Sequence, residues 1–166
     1  MVVLAAAPSV QGPPGLHRWP RAWSERRHLL ERQHDRLEAL LADLLALHGP
    51  ETPAWTAVDA LACDGACRRL LWDLRLHLRL EERWLQAEGC LCLGHRAAHA
   101  DAARAALRAF CGSAGDRQAR CAWLRDLRAW FMAHRAGPDA TAYAAADATT
   151  AALTAPADTA IPTRQS

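Results

Sequence analysis

The sequence of 166 residues is poor in the residues that favour β-strands. It has one Tyr and two Phe, and Val and Ile are scarce, whereas Ala, Leu and Arg, which favour helices, are abundant. A fold built on β-sheets is therefore excluded, and we expect an all-α protein. The length fits one domain with a substantial core rather than two domains.

Long apolar runs and blocks of like charge are also missing. No run approaches the length needed to cross a bilayer, so we expect no membrane span. The net charge of +2 comes from Arg and acidic residues mixed along the chain, which argues against a nucleic-acid surface. The first ten residues have no basic segment before their apolar stretch, so we expect no signal peptide and a cytoplasmic location.

Cysteine is not scarce, but its pattern predicts no disulfide framework. The six cysteines belong to a chain that is long enough to build its own hydrophobic core. Cys63 and Cys67 are four residues apart and Cys90 and Cys92 are two apart, and neither pair completes a four-ligand zinc pattern. We favour reduced, buried thiols in a cytosolic protein, with a zinc or redox pair as the alternative.

Prolines and apolar periodicity divide the chain into three segments. Four prolines in residues 1–22 predict an irregular N-terminal arm. Residues 23–143 carry four apolar stripes at helical spacing with short connections, and we expect an antiparallel up-down four-helix bundle. Residues 144–166 have almost no large apolar residue, which predicts a disordered C-terminal tail.

Cap and breaker residues predict where the helices begin and end. We expect the first helix over about residues 24–48 and the third over about 93–111. Asp64-Gly65 is a candidate break or N-cap before the second long helix. We expect Gly137-Pro138 to end the fourth helix, because proline lacks the amide hydrogen that would continue it.

Histidines and acidic residues recur at helical spacing on the predicted core faces. His77 and Glu81 are four residues apart, as are His95 and His99, so each pair lies on one face of a helix. His34 falls within the apolar stripe of the first helix, where a single histidine is more often an ordinary core residue. Burying such groups is costly unless something binds them, and a metal ion is the natural candidate.

His134 and Asp139 add two more candidate ligands. On a straight α-helix, residues five apart point about 140° away from each other, so these two share a site only if the chain leaves the helical path. Gly137-Pro138 provides such a departure. Five histidines, two bridging carboxylates and a bridging oxide would leave one coordination position of two octahedral ions open. This nitrogen- and oxygen-rich set suits iron better than tetrahedral zinc.

The order H…HxxxE…HxxxH…HxxxxD resembles the hemerythrin family in its single-domain bacterial form. QHxxL around His34, a second glutamate directly after Glu81 and a tryptophan four residues before His134 strengthen the resemblance, which covers roughly residues 19–143. It implies two non-haem iron ions with an oxide or hydroxide bridge. The implied ligands are His34 and His77 on one iron, His95, His99 and His134 on the other, and Glu81 and Asp139 bridging both.

The resemblance also implies what the protein does. It implies reversible dioxygen binding, for transport, storage, sensing or delivery to an oxygen-consuming enzyme, rather than catalysis. Leu78, Trp130 and Phe131 match pocket-lining positions of the family by their spacing from the histidines. Arg135 is a departure, because the family usually has an aliphatic residue there. We expect a monomer with dioxygen as its partner.

Two other function classes stay open besides dioxygen binding. The same open di-iron site could reduce peroxide or nitric oxide, or the chain could handle iron without oxygen chemistry. No additional base or nucleophile beside the ligands favours catalysis, so we assign no catalytic residue.

Glu82 is rotated about 100° from Glu81, so we expect it to behave as an ordinary surface residue.

Overall fold

The computed structural model describes residues 24–48 and 55–154, and all the regular structure in these ranges is helical. The all-α prediction is confirmed for these residues. None of the helices in these ranges combines the length and the apolar character needed to cross a membrane. The elements are α1 (Ser24–Ala46), α2 (Ala57–Ala87), α3 (Leu93–Gly112), α4 (Arg117–His134), a π-helical turn (Arg135–Asp139) and α5 (Ala140–Thr154).

Side chains cap the start of α2 and α4. The Thr56 hydroxyl accepts a hydrogen bond from the backbone N–H of Asp59 at 3.2 Å, and the Thr56 N–H donates to Oδ2 of Asp59 at 2.8 Å. This reciprocal arrangement satisfies two backbone donors that have no partner inside the helix. Asp116 caps α4 by accepting from the N–H of Ala119 at 2.9 Å.

The predicted break at Asp64-Gly65 is wrong, because α2 runs through it without interruption for 31 residues. Cys63 and Cys67 on either side of the glycine are both buried in the main core. Their packing holds the segment helical, and an interior glycine costs only about 1 kcal/mol relative to alanine.

The four longest helices pack around a common apolar core. α1 contacts α2 and α4, α2 contacts α3, and α3 contacts α4. The main cluster takes buried side chains from all four helices at three- and four-residue spacing. Its largest members are Leu37, Leu41, Leu44, Leu70, Leu71, Leu74, Leu78, Phe110, Trp123, Leu124, Leu127 and Phe131.

A second apolar cluster forms where α1, α2 and α5 meet. It contains Leu30 of α1, Trp84 and Leu85 of α2, and Tyr143 and Ala146 of α5. On α1 and α2, the buried polar candidates of the sequence lie between residues of this cluster and residues of the main core. The candidate site is therefore enclosed by apolar side chains at both ends.

The disordered tail predicted from residue 144 is wrong as far as Thr154, because α5 continues to that residue. Alanine has the highest helix propensity, and the buried Tyr143 and Ala146 anchor this alanine-rich helix against Trp84 and Leu85. The absence of large apolar residues was a poor guide here, since small side chains suffice for a close contact. Residues 155–166 and the predicted arm, residues 1–22, lie outside the described residues.

Packing of α5 makes a matched pair of substitutions informative. Ala146→Asp should lower the free energy of unfolding by at least about 2 kcal/mol, because it places a carboxylate in an apolar contact. Ala145→Asp, one residue away on the exposed side, should cost only the difference in helix propensity, about 0.7 kcal/mol. Urea unfolding of both variants measures the difference. Equal effects would mean that α5 does not pack on α1 and α2.

Candidate metal centre

The structure brings all seven candidate ligands of the sequence into one buried site. The least buried of them, His95, is only 6% exposed. Ligand atoms of His95, His99, His134 and Asp139 lie within 4.8 Å of one another, and so do those of a second group, His34, His77 and Glu81. The two groups could each hold a metal ion. They divide the histidines as the resemblance implies.

The three histidines of the first group form a triangle of ring nitrogens. Nε2 of His99 lies 3.0 Å from Nε2 of His95 and 2.9 Å from Nε2 of His134, and the third edge is 3.3 Å. Two neighbouring ligands of an octahedral ion with bonds of about 2.1 Å lie roughly 3.0 Å apart, and those of a tetrahedral ion roughly 3.4 Å. Two of the three edges match the octahedral spacing. The triangle has the size of three ligands on one ion.

Asp139 touches both groups through different oxygens. Its Oδ1 lies 3.1 Å from Nε2 of His134 and 3.2 Å from Nε2 of His95, and its Oδ2 lies 3.2 Å from Nε2 of His34. A carboxylate placed in this way could give one bond to each of two ions.

The π-helical turn is what allows Asp139 to reach His134. We expected Gly137-Pro138 to end the helix, and this prediction is wrong, because the chain passes through a π turn and continues as α5. The N–H of Ala140 donates to the carbonyl of Arg135, five residues back. Pro138 has no N–H and would clash in a regular helix, and the wider turn relieves both problems. It also brings residues five apart closer to one face.

Glu81 is the second shared carboxylate. Its Oε2 lies 3.6 Å from Nε2 of His77 in one group and 3.5 Å from Nε2 of His99 in the other. Both Glu81 oxygens are buried and make no hydrogen bond. Oδ1 of Asp139 and the Nε2 atoms of His34 and His77 are also buried without one. So many unpartnered acceptors in one place are what a bound cation would satisfy.

Hydrogen bonds on the outer side of three imidazoles fix which nitrogen faces inward. Nδ1 of His77 donates to the Gln33 amide oxygen at 3.2 Å, and Nδ1 of His99 donates to a Glu82 oxygen at 3.2 Å. Nδ1 of His34 makes a longer contact of 3.5 Å with Glu31. When Nδ1 of a neutral imidazole carries the hydrogen, Nε2 presents a lone pair. These lone pairs converge on the centre, which is the orientation of metal-binding histidines.

Our sequence reasoning missed these outer partners, and for Glu82 the prediction of an ordinary surface residue is wrong. Glu82 is rotated away from Glu81, but this places it beside His99 of the neighbouring helix. Gln33 and Glu82 stand directly beside ligand candidates in the chain, in QH and EE. Those dipeptides were a usable signal. No sequence pattern indicated Glu31, apart from its position one turn before His34.

The pKa values of His77 and His99 favour neutral imidazoles in the absence of a cation. Burial, and then the neighbouring His34, lowers the pKa of His77 to about 3. Burial, and then His95, lowers the pKa of His99 to about 3 as well. Both rings therefore keep their inward lone pairs at neutral pH.

The two carboxyls shift in opposite directions. Burial, and then the neighbouring Asp139, raises the pKa of Glu81 to about 9. Burial would also raise the pKa of Asp139, but His134, His34 and His95, whose ring nitrogens lie 3.1–3.2 Å from its oxygens, outweigh burial and hold that pKa well below its usual range. Without a cation the site tolerates only one of the two negative charges.

The predicted pocket residues form an apolar wall against the histidines. The Phe131 ring meets His34 edge-on with centroids 5.6 Å apart, and His77 at 6.0 Å. Trp130 stacks on His134 at 4.8 Å. Leu78 is buried in the same cluster as Phe131. Their role as lining of a ligand pocket stays a prediction.

Arg135 does not enter the site. Its guanidinium donates to Glu31, Asp35 and Glu38 of α1 at 2.8–2.9 Å. These three contacts tie the π turn to α1. Arg135, which departs from the hemerythrin pattern, therefore links the π turn, which contains Asp139, to α1, which contains His34.

All six cysteines are unpaired thiols, but the prediction that they are buried is wrong for three of them, because Cys90 is partly exposed and Cys92 and Cys111 are exposed. Cys63 and Cys67 are buried side by side in α2, and burial, followed by the neighbouring Cys63, raises the pKa of Cys67 to about 12. Such a thiol stays protonated and unreactive at neutral pH. No group of three or more metal-ligating side chains forms around the cysteines in the described part of the chain.

Comparisons of the chain with protein-family models, with curated protein sequences and with solved structures found no match. The functional argument therefore depends on the site residues themselves.

The outer hydrogen bond of His99 predicts a measurable effect on metal binding. Glu82→Ala should weaken the binding of a divalent metal by about 10- to 100-fold, because the ring loses the acceptor that orients it. Glu82→Gln, which keeps an amide oxygen, should weaken it less. Competition with a chelator gives the affinities. Arg83→Ala, the exposed neighbour, is the control, and equal affinities for it and Glu82→Ala would contradict the role of Glu82.

The raised pKa of Glu81 predicts how the metal-free protein responds to alkali. Between pH 4.5 and about 9 the unfolded chain has released a proton that folded Glu81 retains. Stability therefore falls as pH rises through this window, by up to about 1.4 kcal/mol per pH unit. From pH 7 to 9 the folded His77 and His99, whose pKa values are lowered to about 3, stay neutral. Urea unfolding of metal-free protein should show the decline, and Glu81→Gln should remove most of it.

The exposed carboxylate variant Asp126→Asn serves as the control for that series. It should keep the wild-type decline between pH 7 and 9. A decline that survives in Glu81→Gln would mean that Glu81 is already ionised in the folded, metal-free protein.

Proposed function

We propose that this protein holds a pair of iron ions and binds dioxygen reversibly, as the resemblance to the hemerythrin family implies. One observation carries the proposal. Two groups of inward-facing histidine nitrogens lie side by side, and each of two carboxylates, Glu81 and Asp139, lies within 3.6 Å of nitrogens from both groups. This arrangement supports two ions with shared bridges rather than one ion.

The donor set supports iron over zinc. With both carboxylates shared, one ion would have five protein ligands and the other four, and a bridging oxide would raise these numbers to six and five. Such numbers fit octahedral ions, whereas structural zinc takes four ligands. On our proposal His95, His99 and His134 hold one ion, and His34 and His77 hold the other with one position open. Bound iron would supply the electrons and the open coordination position for dioxygen.

The chain's own contribution is to orient the ligands and to keep water away. Glu31, Gln33 and Glu82 hold three imidazoles by their Nδ1 atoms. Phe131 and Trp130 cover the histidines with apolar rings, which supports a dry environment where protons do not displace the bound gas. We infer further that α1 to α4 run alternately up and down, as in the family. A monomer in the cytoplasm, delivering dioxygen to an oxygen-consuming enzyme, is part of the same proposal.

Reduction of peroxide or nitric oxide is the second candidate function. One observation favours it: a cavity whose lining includes the charged side chains of Glu31, Arg135 and Asp147 reaches His34 and Asp139 from the surface. Such chemistry consumes protons, and water that enters a cavity of this kind can deliver them. Turnover with peroxide or nitric oxide, absent from reversible binding, would distinguish this candidate.

The test of the proposal is an absorption spectrum of the iron-loaded protein, reduced and then exposed to air. We expect a visible charge-transfer band that appears with oxygen and disappears when oxygen is removed. Glu81→Ala should lose the band and at least one iron, because the shared carboxylate is gone. Asp126→Ala, an exposed carboxylate on α4, should keep both. An iron-loaded wild type without a reversible band would contradict dioxygen binding.

A further inference from the structure

A cavity of about 230 Å³ leads from the surface to the candidate metal centre between α1 and α5. Its volume accommodates a divalent ion that still carries several waters, at roughly 30 Å³ per water. Its floor is made by the candidate ligands His34 and Asp139, and Tyr143 lines it as well. The apolar rings of Trp130 and Phe131 are not among its lining residues.

The floor of the cavity carries acceptors with nothing bound to them. His34 is fully buried, and its Nε2 makes no hydrogen bond. Asp139 is 2% exposed, and its Oδ1 also lacks a hydrogen bond. A cation that reached the floor would meet an imidazole lone pair and a carboxylate at once.

The mouth of the cavity is rich in acidic groups. Glu31 and Asp147 line it, together with Arg27 and Arg135. Arg135 is surrounded by three carboxylates, because Asp35 and Glu38 contact it in addition to Glu31. Two carboxylates and two guanidinium groups therefore line the mouth, and a third carboxylate, Asp139, lies at the floor. Asp35 and Glu38 do not line the cavity, but they add two more negative charges beside Arg135. The excess of carboxylates over guanidinium groups attracts cations and repels anions.

We propose that this cavity is the route by which divalent metal ions enter the centre, with Asp147 as the carboxylate at its mouth that attracts them. The inference rests on the proposed metal pair. It gives the cavity a role separate from that of Trp130 and Phe131, which contact the histidines but do not line the cavity. Metal loading and gas binding would then use different approaches to the same centre.

The ion pair of Arg27 with Asp147 controls access in this account. It joins α1 to α5 across the mouth, and its side chains are 40% and 56% exposed. An exposed pair of this kind contributes little to stability, about 0.2–1 kcal/mol, so either partner can be replaced without unfolding the protein. Asp147 attracts the incoming ion, whereas Arg27 repels it and forms an ion pair with the Asp147 carboxylate.

The two partners therefore predict opposite effects on the rate of metal loading. Asp147→Asn should slow loading about two- to fivefold, and Arg27→Gln should accelerate it by a similar factor, because single charges at a partly exposed mouth change steering modestly. Metal-free full-length protein is mixed with ferrous ion without oxygen, and chelator is added at intervals to stop the reaction. The iron retained by the protein gives the rate.

A matched, exposed ion pair on α3, whose residues do not line the cavity, provides the control. Asp101→Asn and Arg104→Gln remove the same charges from another exposed pair and should leave the loading rate unchanged. Both mouth variants should reach the wild-type iron content at equilibrium, and their rate differences should shrink in 0.5 M salt, where charges are screened.

The outcomes separate this inference from the proposed function. If wild-type protein retains no iron at equilibrium, the metal pair itself is wrong. If it retains iron but the mouth variants load at the wild-type rate, the cavity is not the route. If both mouth variants load faster, the ion pair acts only as a steric barrier, and attraction by Asp147 is overturned. Opposite changes at equal final iron content support the proposal.

Discussion

The structure depends on one constraint: lone pairs and carboxylate oxygens converge inside a helical core, where several of them have no hydrogen-bond partner in the protein. The Nδ1 atoms of His77 and His99 give their hydrogens to Gln33 and Glu82, so their Nε2 atoms must face the centre as acceptors. Acceptor atoms that face one another cannot form hydrogen bonds, because none of them carries a hydrogen. A buried group of this kind is stable only with protons or metal ions in the middle, and the pKa of Glu81, which burial and Asp139 raise to about 9, favours a proton there when no metal is bound.

The surrounding fold is arranged to hold that convergence rigid. Two apolar clusters enclose the site along α1 and α2, so the ligand-bearing turns cannot shift without opening a cavity. The π turn places Asp139 between the two histidine groups, and Arg135 ties that turn to α1 through three carboxylates. Since helices are stiffer than loops, a site built on them is positioned more precisely than a site built on loops.

Much of the fold and the candidate site could be predicted because their signals are periodic. Residues four apart share a helical face, so His77 with Glu81 and His95 with His99 were identifiable from spacing alone. The path between His134 and Asp139 was not, since Gly-Pro signals a break in most helices and only the packing of α5 shows that the helix resumes. Glu82 was misjudged for a related reason. Its own helix places it off the ligand face, and its partner His99 belongs to α3, which no local pattern reveals.

The most direct test of the central claim is a crystal of the iron-loaded protein with anomalous scattering measured at the iron absorption edge. The account predicts two peaks per chain, one among His95, His99 and His134 and the other beside His34 and His77, with Glu81 and Asp139 between them. A single peak, or iron bound away from these residues, would contradict the claim that the converging acceptors form a two-metal centre.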